Sequence, residues 1–282
     1  MEVSIIGSGT MATGIAQVIC NSVQITKVNI IARTEAKAAN VIDICEKGMK
    51  RLIRKSKITE EQASTSVEKL QACTDLEVIR NSDLIIEAVA EDFTVKMELF
   101  SKLSNLVSNN AIVATNTSSL SITAFASVLP NPKNVVGLHF FNPAPVMELV
   151  EIVVGHETSS SIVEKLESLT KMLGKSPVVV QEAPGFVVNR MLIPMINEAV
   201  SILAEGVATA EDIDKAMKLG AHHPMGPLAL ADLIGNDVNL SIMETLYSET
   251  GDPKYRAHPL LRKMVRANHL GRKSKKGFFE YK

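Results

Sequence analysis

The chain contains no tryptophan, and aromatic residues make up only 4% of its 282 residues. Its three cysteines, Cys20, Cys45 and Cys73, form no Cys-x-x-Cys pair and no Cys/His cluster. This spacing argues against both a disulfide framework and a metal site, and it favours a reducing, cytoplasmic location. The 30 Lys and Arg residues nearly balance the 31 Asp and Glu residues, so no strong overall field favours binding to nucleic acid.

Long apolar runs are missing as well. No run approaches the roughly 18 residues that a membrane-spanning helix needs. Met1 leads almost directly into an apolar strand pattern at 3–6, without the basic and apolar regions of a secretory signal. We therefore expect neither a membrane nor a nucleic acid as partner.

Short apolar runs alternate with longer amphipathic segments over the first two-thirds of the chain. Continuous Val/Ile/Leu runs are typical of parallel strands that are buried on both faces. The pattern predicts strands at 3–6, 28–32, 84–87, 112–114, 135–139, 149–154 and 178–180, and helices that include 36–57, 95–107 and 161–173. Such alternation indicates an α/β fold with a Rossmann-type, doubly wound, mostly parallel sheet.

The pattern changes after Pro184-Gly185. Helical periodicity predicts helices at 186–205, 210–219, 228–247 and 259–267, and turn-forming clusters of Asn, Pro and Gly separate them. We therefore expect a dinucleotide-binding domain at 1–184 and a helical domain for substrate binding and dimerisation at 185–282. Apolar segments such as 191–193 fit either the core of this domain or the interface of a homodimer.

A glycine-rich turn follows the first predicted strand and opens a helix. In this segment Gly7 allows a tight turn, and Gly9 lets the backbone approach a pyrophosphate. The third position of the motif is Ala12, which is small enough for helix–strand packing. Together with Thr10 and Met11, the free N–H groups of the helix start suit a dinucleotide, although a lone motif of this kind also occurs as a structural turn.

Arg33 follows the second strand, where an acidic residue usually binds the adenine ribose. Without that carboxylate the ribose 2′-hydroxyl loses its usual partner, whereas an arginine can pair with a 2′-phosphate. This favours NADP over NAD on charge grounds. The alternative is an exposed arginine that leaves the choice of cofactor to other contacts.

Polar side chains at two later strand ends suggest redox chemistry on a hydroxyl or keto group. Ser118 lies in the run Asn-Thr-Ser-Ser-Leu at 116–120, and His139 ends the strand that follows. Glu151 lies within an apolar strand, where a carboxylate needs a partner such as His139, unless it faces solvent at an edge. Asn189 opens the first helix of the second domain, where it either donates to a substrate carbonyl or caps the helix.

Taken together, these motifs resemble the 3-hydroxyacyl-CoA dehydrogenase family over essentially the full length, most closely its short bacterial members that act on 3-hydroxybutyryl-CoA. The resemblance covers the glycine turn, Glu87-Ala88, Glu91, Lys96, the 116–120 run, 139–145, 147–151, 183–190, 223–227 and 271–279. Ala12 in place of the usual third glycine is sterically tolerable. Arg33 in place of the usual Asp puts the NAD preference of the family in doubt.

The resemblance implies roles for individual residues. His139 would be the general acid/base, Glu151 would orient it, and Ser118 and Asn189 would bind the substrate oxygens. Glu91 and Lys96 would lie near the nicotinamide ribose of NAD or NADP, and Asn116 would belong to the same cofactor site.

The predicted helix at 36–57 carries Lys50, Arg54 and Lys57 at helical spacing. The family resemblance implies that such a basic face meets the phosphates of coenzyme A, although a solvated basic helix is the more common meaning of a charge run. The implied activity is interconversion of acetoacetyl-CoA and (S)-3-hydroxybutyryl-CoA.

The sequence leaves two alternatives to this activity. A dehydrogenase of a free hydroxy acid usually relies on a catalytic lysine, and no matching segment is present. A dinucleotide-binding relative with a purely structural role predicts the loss of at least one of Ser118, His139, Glu151 and Asn189, and all four are present.

Overall fold

The computed structural model describes residues 1–282 and divides into two compact units, Met1–Glu182 and Ala183–Lys282. The sheet of the first unit corresponds to short continuous apolar runs in the sequence, and the helices of the second unit correspond to apolar residues at helical spacing. None of the helices is both long enough and apolar enough to cross a membrane.

Eight strands form one sheet in the first unit. They are β1 (Glu2–Ile6), β2 (Lys27–Ile31), β3 (Leu70–Cys73), β4 (Leu84–Glu87), β5 (Ile112–Thr115), β6 (Val135–Phe140), β7 (Leu149–Val154) and β8 (Ser176–Gln181). Their spatial order is β3-β2-β1-β4-β5-β6-β7-β8, and only the β6–β7 pair is antiparallel. The prediction of a Rossmann-type, mostly parallel sheet is confirmed.

Helices of the first unit connect these strands. They are α1 (Thr10–Cys20), α2 (Glu35–Arg54), α3 (Glu60–Glu68), α4 (Phe93–Leu103), α5 (Ile122–Ala126) and α6 (Ser160–Met172). The central strands are buried on both faces, which explains why their sequences are nearly continuous apolar runs. Ile5, Ile30 and Ile86 are completely buried in this core.

Helix α2 is shorter than predicted, so the prediction that Lys57 lies on its basic face is wrong. The helix ends at Arg54 because Ser56 adopts a left-handed conformation with φ of 53°. The N–H groups of Ser56 and Lys57 then donate to the carbonyls of Ile53 and Leu52, which is the hydrogen-bond pattern of a Schellman motif. Lys57 therefore lies in the loop after the helix.

The apolar pattern predicts neither β3 nor α3. Strand β3 is a sheet edge with exposed residues in its middle, so its burial pattern is weak. Helix α3 begins with a capping box in which the side chain of Thr59 accepts from the Gln62 N–H and the side chain of Gln62 accepts from the Thr59 N–H. Thr-x-x-Gln was a local signal for this helix start.

The second unit is helical. It contains α7 (Val188–Ala204), α8 (Ala210–Gly220), α9 (Pro227–Ile234), α10 (Asn236–Thr250) and α11 (Pro259–Arg266). The prediction of one helix at 228–247 is wrong, because Gly235 adopts φ of 108° and separates α9 from α10. A β-carbon is disfavoured in that conformation, so the chain breaks the helix at a glycine.

The buried carboxylate of Asp232 in α9 anchors the end of the chain. Its oxygens accept hydrogen bonds from the backbone N–H groups of Phe278 and Phe279 at 3.0 and 2.9 Å, and from the Tyr281 hydroxyl at 3.0 Å. Burial, with the hydrogen bond to Asp232, raises the pKa of Tyr281 to about 12. The C-terminal segment is therefore held to α9 by one acidic side chain.

Replacing Asp232 with Ala should destabilise the second unit by about 3 kcal/mol, because two backbone donors, one hydroxyl and the side-chain amide of Asn236 would lose a charged acceptor. The measurement is the urea midpoint of the helical transition followed by circular dichroism. Glu244→Gln is the control, since Glu244 pairs with Arg262 at an exposed position, and such pairs contribute about 1 kcal/mol or less. Equal midpoints for the two variants would contradict the anchor.

Candidate active site

Four parallel strands of the first unit end at the same edge of the sheet. The neighbouring strands β1, β4, β5 and β6 run in the same direction, so the segments that follow them converge there. Ligands bind at this carboxyl edge in open α/β sheets. The ends of these strands carry Glu87 and His139, and the segments that follow β1 and β5 carry the glycine turn and the 116–120 run.

The glycine turn has the local geometry of a phosphate-binding loop. Gly7 has φ of 139°, and a β-carbon there would lie 2.4 Å from the carbonyl oxygen of Ala88. Gly9 is the N-cap of α1, no side chain caps that helix, and nothing lies within 4 Å of a β-carbon built on it. The first glycine is therefore required by the fold, whereas the space beside Gly9 and the exposed start of α1 are open to an anion.

His139 and Glu151 are brought together by the antiparallel pairing of β6 and β7. The two residues are directly opposite in register, and His139 Nδ1 lies 2.8 Å from Glu151 Oε2. Only 5% of His139 and 1% of Glu151 are exposed. A carboxylate only accepts, so Nδ1 carries the proton and Nε2 is the nitrogen that can exchange one with a ligand.

Glu151 therefore does not face solvent at an edge, because β7 lies between β6 and β8. The centroid of the Phe141 ring lies 4.4 Å from that of the His139 ring, so Phe141 further restricts the orientation of the imidazole. The structure thus places a buried imidazole whose orientation is determined on one side by a carboxylate and on another by an aromatic ring.

Ser118 is held by Glu91, which lies in the loop between β4 and α4. Glu91 Oε1 accepts from the Ser118 N–H at 2.7 Å, from the Ser118 hydroxyl at 3.0 Å and from the Thr117 hydroxyl at 2.6 Å. A single carboxylate oxygen therefore determines the conformation of the loop after β5. The Asn116 side chain connects this loop to the next strand, because its Oδ1 accepts from the Phe140 N–H at 2.9 Å.

Lys96 in α4 is almost completely buried between two carboxylates. Its Nζ lies 2.6 Å from Glu87 Oε1 and 3.4 Å from Glu91 Oε2. Glu91 and Lys96, each predicted to lie near the nicotinamide ribose, are thus in direct contact. Glu87, Thr115 and Thr117 join the same network without having been predicted as site residues, and a glutamate at the end of a buried strand was the available signal.

Lys175 holds the loop that follows His139. Its Nζ donates to the backbone carbonyls of Ala144 at 2.7 Å and Met147 at 2.8 Å. Burial lowers the pKa of Lys175, and the charge of Glu148 partly opposes this shift. The loop contains a cis peptide bond between Asn142 and Pro143.

The remaining predicted site residues lie on other elements of the fold. Arg33 is exposed just after β2, and Lys50 and Arg54 are exposed on the C-terminal half of α2. Asn189 is half-buried in the first turn of α7 in the second unit. It is not the N-cap of α7, because Val187 occupies that position.

Comparison with known proteins accounts for both units. The model of the 3-hydroxyacyl-CoA dehydrogenase NAD-binding domain matches residues 2–183, and the model of the C-terminal domain of the same enzymes matches residues 185–281. The chain belongs to the 3-hydroxyacyl-CoA dehydrogenase family.

Individual relatives match over the full chain. The chain is 50% identical to 3-hydroxybutyryl-CoA dehydrogenase of Clostridioides difficile, over 100% of this chain and 99% of that protein. It is 38% identical to human mitochondrial hydroxyacyl-coenzyme A dehydrogenase, over 100% of this chain and 91% of that protein. The crystal structure of (S)-3-hydroxybutyryl-CoA dehydrogenase from Ralstonia eutropha superimposes with a TM-score of 0.95 at 43% identity, covering 100% and 99% of the two chains.

The residues of this member of the family fit a nicotinamide dinucleotide. The open space at Gly9, the uncapped start of α1 and the completely buried Ala12 match what the pyrophosphate-binding turn requires. Like the family, the chain therefore uses NAD or NADP.

Two alanine substitutions in the glycine turn should separate folding from cofactor binding. Gly7→Ala should lower the thermal midpoint of the first unit strongly, because the methyl group meets a carbonyl and φ stays positive. Gly9→Ala should leave the midpoint nearly unchanged but weaken NADH or NADPH binding about tenfold or more, since the methyl group fills the space for the pyrophosphate. Calorimetry and ligand titration measure both effects, and intact affinity in a folded Gly9→Ala variant would contradict this assignment.

Proposed function

We propose that the protein interconverts acetoacetyl-CoA and (S)-3-hydroxybutyryl-CoA by hydride transfer with NAD(P)(H). The observation that carries this proposal is the buried His139–Glu151 pair at the same sheet edge as the glycine turn. Relatives named 3-hydroxybutyryl-CoA dehydrogenase, at 42–50% identity over the whole chain, support the choice of substrate.

His139 is the general acid/base of this mechanism. In oxidation Nε2 accepts the proton of the 3-hydroxyl group while the hydride on C3 leaves. In reduction the imidazolium returns that proton to the forming alkoxide. Glu151 holds the imidazole through Nδ1 and stabilises its positive charge during the step. The nicotinamide ring of the bound cofactor supplies or takes up the hydride.

Ser118 and Asn189 complete the binding of the substrate in this proposal. The Ser118 hydroxyl binds the reacting oxygen, and Glu91 keeps that hydroxyl in place through its contacts with the backbone and side chain of Ser118. Asn189 holds the thioester side. Glu91, Lys96 and Asn116 bind the cofactor near its nicotinamide ribose.

Two further parts of the ligands have basic candidates. Arg33 occupies the position that usually binds the adenine ribose, and its positive charge favours the 2′-phosphate of NADP. The match of this unit to the NAD-binding domain of the family favours NAD instead. Lys50 and Arg54 on α2, together with Lys57 in the loop, are exposed and attract the phosphates of coenzyme A.

The second unit supports a homodimer. It exposes large apolar side chains, with Met191 of α7 72% and Leu233 of α9 48% accessible, and a second copy of the chain would remove such side chains from water. Light scattering of the purified protein tests this assembly, and a mass near 30.5 kDa would exclude it. The free thiols of all three cysteines suit a reducing cytoplasm.

The direct test follows the absorbance of reduced nicotinamide with acetoacetyl-CoA, using NADH and NADPH in parallel. We expect consumption that depends on the acyl-CoA. Free acetoacetate is the comparison substrate, because the alternative of a free hydroxy acid dehydrogenase predicts turnover without coenzyme A. No consumption of either cofactor by the folded protein would reject the proposed function.

His139→Ala should lower kcat by about 10²–10⁴-fold, the usual contribution of general acid–base catalysis. Its affinity for the cofactor should stay near that of the wild type, because the imidazole acts on the hydroxyl group. Glu151→Gln should lower kcat less and change its pH profile, since the amide keeps the shape but not the charge. Equal losses of turnover and cofactor affinity in His139→Ala would assign His139 a structural role.

Arg33→Asp should reduce the ratio of kcat/KM for NADPH to that for NADH by about tenfold or more, because a carboxylate repels a 2′-phosphate and accepts from a 2′-hydroxyl. Arg33→Gln serves as the control that removes the charge alone. An unchanged ratio in both variants would remove Arg33 from cofactor selection.

A further inference from the structure

Glu87 is a completely buried carboxylate with a full set of hydrogen-bond partners. Its Oε1 accepts from Lys96 Nζ at 2.6 Å and from the Val89 N–H at 2.7 Å, and its Oε2 accepts from the Thr115 hydroxyl at 2.6 Å. The residue ends β4 at the carboxyl edge of the sheet. Its position is therefore determined by β4, by β5 and by α4 together.

The ammonium group of Lys96 is shared unequally between two carboxylates. Glu87 holds it at 2.6 Å, and Glu91 lies 3.4 Å away. Lys96 is 1% exposed, so water cannot replace a lost carboxylate. If the charge of Glu87 were removed, the ammonium group would be drawn towards Glu91, the other negative group in contact with it.

The Glu91 carboxylate cannot move towards Lys96 without disturbing its other hydrogen bonds. Glu91 Oε2 faces Lys96, whereas Glu91 Oε1 accepts from the Thr117 hydroxyl and from both the N–H and the hydroxyl of Ser118. A shift of the Glu91 carboxylate therefore moves Ser118. The chain of contacts runs from Glu87 through Lys96 and Glu91 to the loop after β5.

We propose that Glu87 is a positioning residue that fixes Lys96, and through it Glu91 and Ser118, in the arrangement that binds the dinucleotide. This inference rests on the proposed function only where it assigns Lys96 and Glu91 to the cofactor. Stability alone does not explain the buried pair, since ion pairs in protein interiors contribute little net stability compared with apolar packing.

The first experiment compares cofactor affinity by isothermal titration calorimetry, using whichever of NADH and NADPH the wild type binds more tightly. Glu87→Gln should raise Kd about tenfold, because the amide preserves the shape but no longer neutralises Lys96. Asp214→Asn is the matched control. Asp214 is a buried carboxylate of the second unit that accepts from the N–H groups of Leu228 and Ala229, so its loss should lower the thermal midpoint and leave Kd unchanged.

A second variant covers the case in which Glu87→Gln does not fold. Thr115→Val keeps the charge of Glu87 and removes a hydroxyl that donates to Glu87 at 2.6 Å and accepts from the Thr117 N–H at 3.3 Å. Kd should therefore rise about threefold. An unchanged Kd in a folded Glu87→Gln variant overturns the proposal. If only Thr115→Val folds, an unchanged Kd there overturns it as well.

A double-mutant cycle tests whether Glu87 acts through Lys96. Lys96→Met should itself weaken binding, and adding Glu87→Gln to it should cost no more than about a further twofold, since coupled residues are not additive. Losses that multiply would mean that Glu87 acts independently of Lys96 and would overturn the proposal. Because these titrations contain no acyl substrate, a failure of the acetoacetyl-CoA assay would leave their result interpretable.

Discussion

The parallel hydrogen bonding of β1, β4, β5 and β6 is the constraint on which the candidate site depends. Parallel strands all end at one edge, so residues that are far apart in the sequence meet there without any local preference for doing so. Strand β7 runs antiparallel to β6, unlike the other neighbouring strands of the sheet. It runs back along β6 and places Glu151 opposite His139, so that one strand pair contains both the imidazole and the carboxylate that orients it.

Every charge in this site is paired, and all of these groups except Glu91 are buried. The His139–Glu151 pair lies on β6 and β7, and the Glu87–Lys96–Glu91 network lies at the end of β4 and in the loop and helix that follow it. Thr115, Thr117 and Ser118 contribute hydroxyl donors to the network. Burial makes Glu87, Lys96 and the His139–Glu151 pair depend on their partners, because an unpaired charge in the interior is costly. This mutual dependence restricts the positions that the reacting side chains can adopt, and preorganised polar groups of this kind are what hydride and proton transfer require.

Much of this arrangement could be predicted from local patterns. Short continuous runs of Val, Ile and Leu predicted all the strands that are buried in the middle of the sheet. Gly7 and Gly9 predicted a phosphate-binding turn. The wrong or missing predictions of secondary structure also have local causes. The edge strand β3 has exposed residues where the pattern needs apolar ones, α2 stops early because Ser56 turns left-handed, and Gly235 divides a helix that periodicity alone continues. In each case a backbone conformation or an edge position outweighed the side-chain pattern.

The sequence by itself determined the fold class, the glycine turn, the types of side chain available for catalysis and the family to which they belong. Only the tertiary structure decided which of these side chains are partners. Glu87, Thr115 and Thr117 carry no motif that names their contacts, and Glu151 could equally have faced solvent. Strand order and register decide such contacts, because hydrogen bonding between distant segments selects the neighbours of each buried polar group.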